Sequence, residues 1–415
     1  MGRRIVILGA GFGGLFTALE LDRQLRRETG VDVRLLDARN FHLFSPMLHE
    51  VTSGIIEPRH VVWPIRALSS KTQLTFEARE VRSIDLEGRK VLTDYGDVGY
   101  DYLIIALGSV TNYFGISGAE DKAFSFKTLK DAVRLRNHIL EMFERAVLER
   151  EPARRRRLLT FALVGAGCTG VELATELHDM ARKALARHYP HLDVREVRIV
   201  VAEATGRIIP CVSDRLANLA LEKLSRKGIE VRRHAPVVRA TNGAIELADG
   251  EVIRTETVIW TAGVKANPIV EALPAEKDKL GRVVVNEYLE LPAFAGVFAI
   301  GDCAHFRDPR LQDALPPTAQ VAVQQARCLA DNIARELRGE RKDPFVYHHF
   351  GDLVSLGAGD GVAEIAGLAF SGLPAWLLWR SIFLAKLLGW KNRIRVALDW
   401  IISSLFQRDL AKLDW

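Results

Sequence analysis

Gly9, Gly11 and Gly14 satisfy G-x-G-x-x-G directly after the apolar run Arg4 to Leu8, and Asp37 closes the next apolar run 23 residues beyond Gly14. Each part has a physical job. The glycines permit a tight turn and let a pyrophosphate approach backbone N–H groups at a helix N-terminus, while the carboxylate accepts hydrogen bonds from adenosine ribose hydroxyls. The same parts recur at Gly165, Gly167 and Gly170, with Glu203 33 residues past Gly170. A longer helix and loop through His188-Tyr189-Pro190 accounts for the wider gap. Two dinucleotide folds in one chain point to a bound flavin and a diffusible nicotinamide, since one cofactor must hand electrons to the other. The Glu203 carboxylate repels a 2′-phosphate, which favours NADH over NADPH, although Arg207 nearby opposes that preference.

The elements that must position these groups are legible in the hydrophobic periodicity. Arg4 to Leu8 reads as a buried strand, Leu15 to Leu25 as an amphipathic helix and Val31 to Leu36 as a second strand, together a βαβ unit. A second copy runs through LLTFALV, a helix from Val171 to Arg187 and a strand from Val197 to Val201. Short strands and a charged helix, Leu129 to Glu149, lie between them. A helix from Thr318 to Leu337 follows the Gly-Asp turn at Val297 to Asp302. The basic run Arg154 to Arg157 reads as a solvated turn and not as a nucleic-acid site, because no aromatic or groove-entering element accompanies it.

Composition removes other classes. At 415 residues, with 48% hydrophobic and 26% charged residues, the chain has room for two or three domains and is neither disordered, collagenous nor coiled coil. Cys168, Cys211, Cys303 and Cys328 make no C-x-x-C pair and no zinc-like cluster with the histidines, which argues against a disulfide scaffold, a redox dithiol and a metal site. Reduced thiols and the glycines after Arg3-Arg4, which would spoil the apolar helix of an export signal, are expected of a chain kept on the cytoplasmic side.

Charge is concentrated at one end. Residues 370 to 415 hold seven Lys or Arg against three Asp, and five of the seven tryptophans: Trp376, Trp379, Trp390, Trp400 and Trp415. From Asn392 at 100° per residue, Ile394, Leu398, Ile401, Ile402 and Leu405 fall on one side and Asn392, Asp399, Ser403 and Gln407 on the other. The preceding segment, Trp376 to Leu388, is apolar nearly all round but too short and too charged to span a bilayer. A membrane surface and a dimer interface both fit this pattern; the accumulation of Trp and Lys/Arg favours the membrane, and the two uses are compatible.

The order of G-x-G-x-x-G, Asp37, ALGS at Ala106 to Ser109, GAGCTGVE at Gly165 to Glu172, WTAG at Trp260 to Gly263 and FAIGD at Phe298 to Asp302 resembles the two-dinucleotide-binding flavoproteins. Within them, NFHLFSPMLHEV at Asn40 to Val51, TAQVAVQQ at Thr318 to Gln325 and the Trp-rich basic tail resemble type II NADH:quinone oxidoreductase, the single-subunit, non-pumping NADH dehydrogenase of respiratory chains. The resemblance spans nearly the whole chain and implies an α/β fold with two Rossmann-like domains and a C-terminal membrane-associating helical region. It implies a discontinuous FAD-binding domain (1–115 and 265–336), an NADH-binding domain (116–264) and a C-terminal domain (337–415). Non-covalent FAD, NADH, a membrane quinone, a lipid surface and a second copy of the chain are the implied partners, with peripheral attachment on the cytoplasmic side of the cell membrane.

The same resemblance assigns roles. Gly108, Gly301, Asp302 and Ala319 join Gly9, Gly11, Gly14 and Asp37 around FAD, and Gly263 joins Gly165, Gly167, Gly170 and Glu203 around NADH. Gln320 and Gln324, one helical turn apart, face the quinone side of the flavin; read without the resemblance they are solvated helix residues. Glu172 is implied to face nicotinamide and flavin and to handle a proton or orient the ring, against the plainer reading of an acid favoured by the helix dipole. Cys168 stands where the family commonly has proline and reads most simply as a small packed residue. A nicotinamide-sensing flavoprotein that signals through a partner, as proteins resembling apoptosis-inducing factor do, is the alternative from another class.

Overall fold

Ile5, Val6, Ile7 and Leu8 are fully buried, as a strand covered on both faces requires, and each pairs in register with a parallel neighbour on either side. The computed structural model describes residues 2–26, 28–69, 74–311, 313–408 and 411–412. Their contacts divide the chain into two units, Met1–Leu43 with Val62–Val110 and Val264–His349, and Phe44–Val61 with Thr111–Gly263 and Phe350–Trp415.

The first unit is built on a five-stranded parallel sheet in the order Val297–Ala299, Tyr102–Ile105, Arg3–Leu8, Val31–Asp37, Thr75–Ala78. The helix Phe12–Leu25 leaves the first strand through the glycine turn and packs along the helix Ala319–Leu337. Thr318 caps that second helix by accepting from Val321 N, which fixes its start at Ala319, one residue inside the expected bound.

The second unit repeats the scheme with a parallel sheet in the order Phe124–Ser125, Thr257–Trp260, Thr160–Val164, Arg198–Ala202, Glu230–Arg232. Its helix Leu129–Leu148 begins at a capping box in which Thr128 and Asp131 satisfy each other's backbone N–H. The helix expected from Val171 to Arg187 is composite: α-helical from Cys168 to Asp179, wider-wound over Met180–Leu185, then α-helical again to His188. Arg154 to Arg157 form no solvated turn. They lie in a helix, Pro152–Leu158, opened by a proline at its first position, where Arg155 and Arg157 pair with Glu196 and Glu256.

A three-stranded antiparallel sheet, Asp352–Ser355, Gly361–Ile365 and Leu368–Ser371, leads into the helices Leu373–Lys386 and Trp390–Leu405. Residues 350 to 415 thus group with the second parallel sheet, and so does the segment 44–61, where the sequence places boundaries at 115, 264 and 336. The physical reason is side-chain pairing over long separations: Phe44 meets Phe383 edge-on, and His49 meets Trp379 in the same way. Among the described residues no helix is long and apolar enough to cross a membrane.

Candidate functional site

Each glycine turn is closed by its own carboxylate. Asp37 accepts from Ala10 N at 2.7 Å and Arg39 N at 2.8 Å; Glu203 accepts from Ala166 N at 2.8 Å and from Thr205 N and Oγ1 at 2.8 Å. A carboxylate held this way points at the residue after the first glycine, so the turn and the acid form one rigid unit. Gly9 and Gly165 adopt φ of +93° and +102°, which L side chains rarely enter. A Cβ on Gly14 would lie 1.8 Å from Gly9 O, and one on Gly170 would lie 2.0 Å from Gly165 O. A Cβ on Gly11 or Gly167, in contrast, would meet nothing within 4 Å, and both glycines stand at helix N-termini that no side chain caps. Open space against uncapped N–H donors is what a pyrophosphate requires, so both turns fit a dinucleotide.

In the first unit the other expected groups converge on the turn. A Cβ on Gly13 would touch Ile300, and one on Gly301 would touch Ala322 at the start of the Ala319–Leu337 helix. Asp302 accepts from the Ser109 hydroxyl, and Gly108, at φ +71°, accepts from Cys303 Sγ. Gln325 was not among the expected residues. It is buried and its Oε1 accepts from Gly301 N at 2.7 Å, holding the Gly-Asp turn in place. Its position, five residues past Gln320 in TAQVAVQQ, was the signal available. Gln320 accepts from Tyr347 OH at 3.0 Å, and Gln324 both donates to His348 O (2.8 Å) and accepts from His348 N (3.0 Å), so neither is simply solvated.

In the second unit Gly263 sits at φ +155° with Phe114 against it, and the preceding Thr261 hydroxyl bonds Val164 O and Gly165 O, which seats WTAG on the glycine turn. Glu172 is buried, and its Oε1 accepts from Ser355 N and from Trp379 Nε1, both at 3.1 Å. Burial pushes its carboxyl up to about 8 despite these donors. Glu176, one turn on, is pushed up by burial too. Glu50 accepts from Trp400 Nε1 at 2.8 Å, and burial carries it to about 7 even with Arg380 3.6 Å away. His49, 3.8 Å from Glu172, is driven down to about 3 by burial, hence neutral.

Glu50, Glu176 and His49 escaped the sequence reading of the site, although LHEV interrupts an apolar stretch and Glu172 and Glu176 share a helix face. Two of the five tail tryptophans, Trp379 and Trp400, are inner donors to this acid cluster and not interfacial anchors, while Trp390 is 74% exposed and Trp415 lies outside the described residues. All four cysteines are free thiols, as expected, but the spacing did not reveal that Cys168 Sγ and Cys211 Sγ lie 2.7 Å apart, because the loop after the Arg198–Ala202 strand folds back onto the helix start.

Two glycine–carboxylate cradles on successive parallel sheets define a pyridine nucleotide-disulphide oxidoreductase fold, and the family of that description matches residues 3–326, with the NDH2 C-terminal domain matching 349–409. Type II NADH:quinone oxidoreductase of Mycobacterium tuberculosis is 34% identical over 98% of this chain and 89% of its own, and that of Staphylococcus aureus is 32% identical over 90% and 92%. NDH2 of Plasmodium falciparum, solved in complex with NADH, superposes with a TM-score of 0.91 at 20% identity, covering 99% of this chain and all of that one. The chain belongs to the type II NADH:quinone oxidoreductase family, an enzyme class that uses FAD and NADH.

Proposed function

We propose that this chain passes two electrons from NADH to a membrane quinone without pumping protons, and so feeds a respiratory chain. The observation that carries the reading is the doubled glycine–carboxylate cradle in one chain, supported by relatives named for that activity. Bound FAD would supply the two-electron relay between hydride donor and quinone. In this proposal Gly9, Gly11, Gly14, Asp37, Gly108, Gly301, Asp302 and Ala319 hold FAD without a covalent link, and Gly165, Gly167, Gly170, Glu203 and Gly263 hold NADH. Gln320 and Gln324 serve the quinone, their amides oriented by Tyr347 and His348.

Quinone reduction takes up two protons, one of which arrives with the hydride, and the acid cluster is suited to store the other. With both N–H donors on Glu172 Oε1, its proton resides on Oε2, the oxygen nearer neutral His49. Full-length protein should bleach on anaerobic NADH and turn over repeatedly with a short-chain quinone. A single stoichiometric bleaching without turnover would mark a sensor and sink the proposal.

Attachment to the cytoplasmic face of the membrane rests on the helix Trp390–Leu405, which is inverted relative to an ordinary surface helix. Asn392, Val396 and Trp400 are buried and Asp399 bonds His60 Nδ1 at 2.6 Å, while Ile394, Leu398, Ile401, Ile402 and Leu405 are all exposed. Half-burying each in lipid contributes about 1 kcal/mol, insensitive to salt. Lys391, Arg393 and Arg395 add about 1 kcal/mol each on an anionic surface, and salt screens that part. Liposome flotation should therefore weaken only partly at high salt and should be lost in a Leu398→Asp/Ile402→Asp variant. Undiminished flotation of that variant would reassign the stripe to a homodimer interface, which is otherwise compatible with it.

A further inference from the structure

Cys168 is the first residue of the helix that opens at Gly167, and Cys211 lies in the loop that follows the Arg198–Ala202 strand. Their sulfurs are in contact at 2.7 Å although 43 residues separate them. The loop is clamped onto the glycine turn: Ile209 N donates to Ala166 O at 2.8 Å, Arg207 donates to Val212 O, and Ile209 takes a left-handed φ of +44°, a costly conformation for a β-branched residue. Cys211 is exposed and Cys168 is partly covered behind it. The hydrogen bond to Cys211, and then burial, hold the Cys168 thiol protonated well above its usual range. One accessible sulfur thus fronts one sheltered sulfur at the first residue of the helix that opens at Gly167.

We propose that Cys168 and Cys211 form a reversible dithiol–disulfide site, oxidised by a hydroperoxide, that controls occupancy of the second glycine turn. The Cys211 thiolate attacks one oxygen of hydrogen peroxide, the O–O bond breaks to give a sulfenic acid, and the departing hydroxide takes up the proton that Cys211 had released and leaves as water. Cys168 sulfur then attacks the sulfenic sulfur, the S–O bond breaks, and hydroxide leaves with the Cys168 proton as a second water. Two electrons pass from the sulfur pair to the peroxide, and an external dithiol returns them by exchange. The cross-link draws the two sulfurs from 2.7 Å to bonding distance and ties the Gly206–Ser213 loop covalently to Cys168, so it displaces the helix start whose N–H groups would receive the pyrophosphate.

The inference rests on reading the second glycine turn as the NADH site, and the two are tested separately. FAD-loaded full-length protein is treated with hydrogen peroxide, alkylated under denaturing conditions and mapped by mass spectrometry. The expected result is loss of about 2 Da, a Cys168–Cys211 linked peptide and recovery of both thiols with dithiothreitol. Oxidation should raise the KM for NADH about tenfold, a size ordinary for coupling between neighbouring sites, while reoxidation of NADH-reduced protein by quinone is unchanged. Cys211→Ser, and Cys211→Ala as a second exposed-site variant, should keep the untreated kinetics and ignore peroxide. Two alkylatable thiols after peroxide, or a linked peptide with unaltered NADH dependence, would overturn the proposal. Failure of the NADH reading itself would appear instead as no bleaching by NADH in untreated protein, whatever the thiols do.

Discussion

Gly14→Ala should leave the protein colourless, with activity lost and a melting temperature several degrees lower. The added Cβ would lie 1.8 Å from Gly9 O and 3.2 Å from Ile7 Cγ2, and the nearer atom is backbone, so the turn itself must open. Steric opening of a buried turn costs on the order of 2–4 kcal/mol, and it also misplaces the N–H groups that would receive the pyrophosphate. Gly11→Ala separates these two effects. Its methyl would meet nothing within 4 Å, so the apoprotein should melt as before, yet the methyl occupies the space facing the helix N-terminus and FAD should still be lost. Gly170→Ala, with Cβ 2.0 Å from Gly165 O, should give the complementary phenotype: yellow protein that NADH no longer bleaches. The ratio of flavin to protein absorbance and thermal melts decide the matter. Stoichiometric FAD in Gly14→Ala at an unshifted melting temperature would refute the first cradle.

The second large effect is a pH dependence of stability centred on Glu172. Its carboxyl titrates near 4.5 when unfolded and at about 8 when folded, raised chiefly by burial. An acid raised on folding contributes its full stability below about pH 4.5 and loses it as pH climbs toward 8, because only the unfolded chain ionises across that window. At 1.36 kcal/mol per pH unit the loss is on the order of 5 kcal/mol by pH 8.5, and Glu50, raised to about 7, adds a loss of the same sign. Glu172→Gln keeps an acceptor for Ser355 N and Trp379 Nε1 but has no proton to lose. The variant should match the parent near pH 5 and exceed it by a few kcal/mol at pH 8.5 in urea denaturation. Parallel pH profiles would mean that Glu172 is ionised in the folded protein. Deleting the tail is a poorer probe of the same region, because it strips Trp379 and Trp400 from Glu172 and Glu50 and leaves both acids without their indole donors.

Features set by local spacing are readable from the residues alone. The glycine turns, their strands and the acids Asp37 and Glu203 follow from tight-turn sterics and from period-2 and period-3.6 burial, which act over a few residues. The outward stripe of the Trp390–Leu405 helix was legible for the same reason, since 100° per residue sorts side chains onto faces whether the partner is lipid or protein. Periodicity does not say which face turns inward, and tertiary structure decided that the polar face does, with Asp399 on His60 and Trp400 on Glu50. It alone made an acid cluster from Glu50, Glu172 and Glu176, and its indole donors come from a segment more than 200 residues away from Glu172. It alone set Gln325 on Gly301 and brought Cys168 to Cys211. Such pairings depend on where separate segments of a long chain meet, and the burial that raises Glu172 depends on atoms from all of them, so no local pattern encodes either.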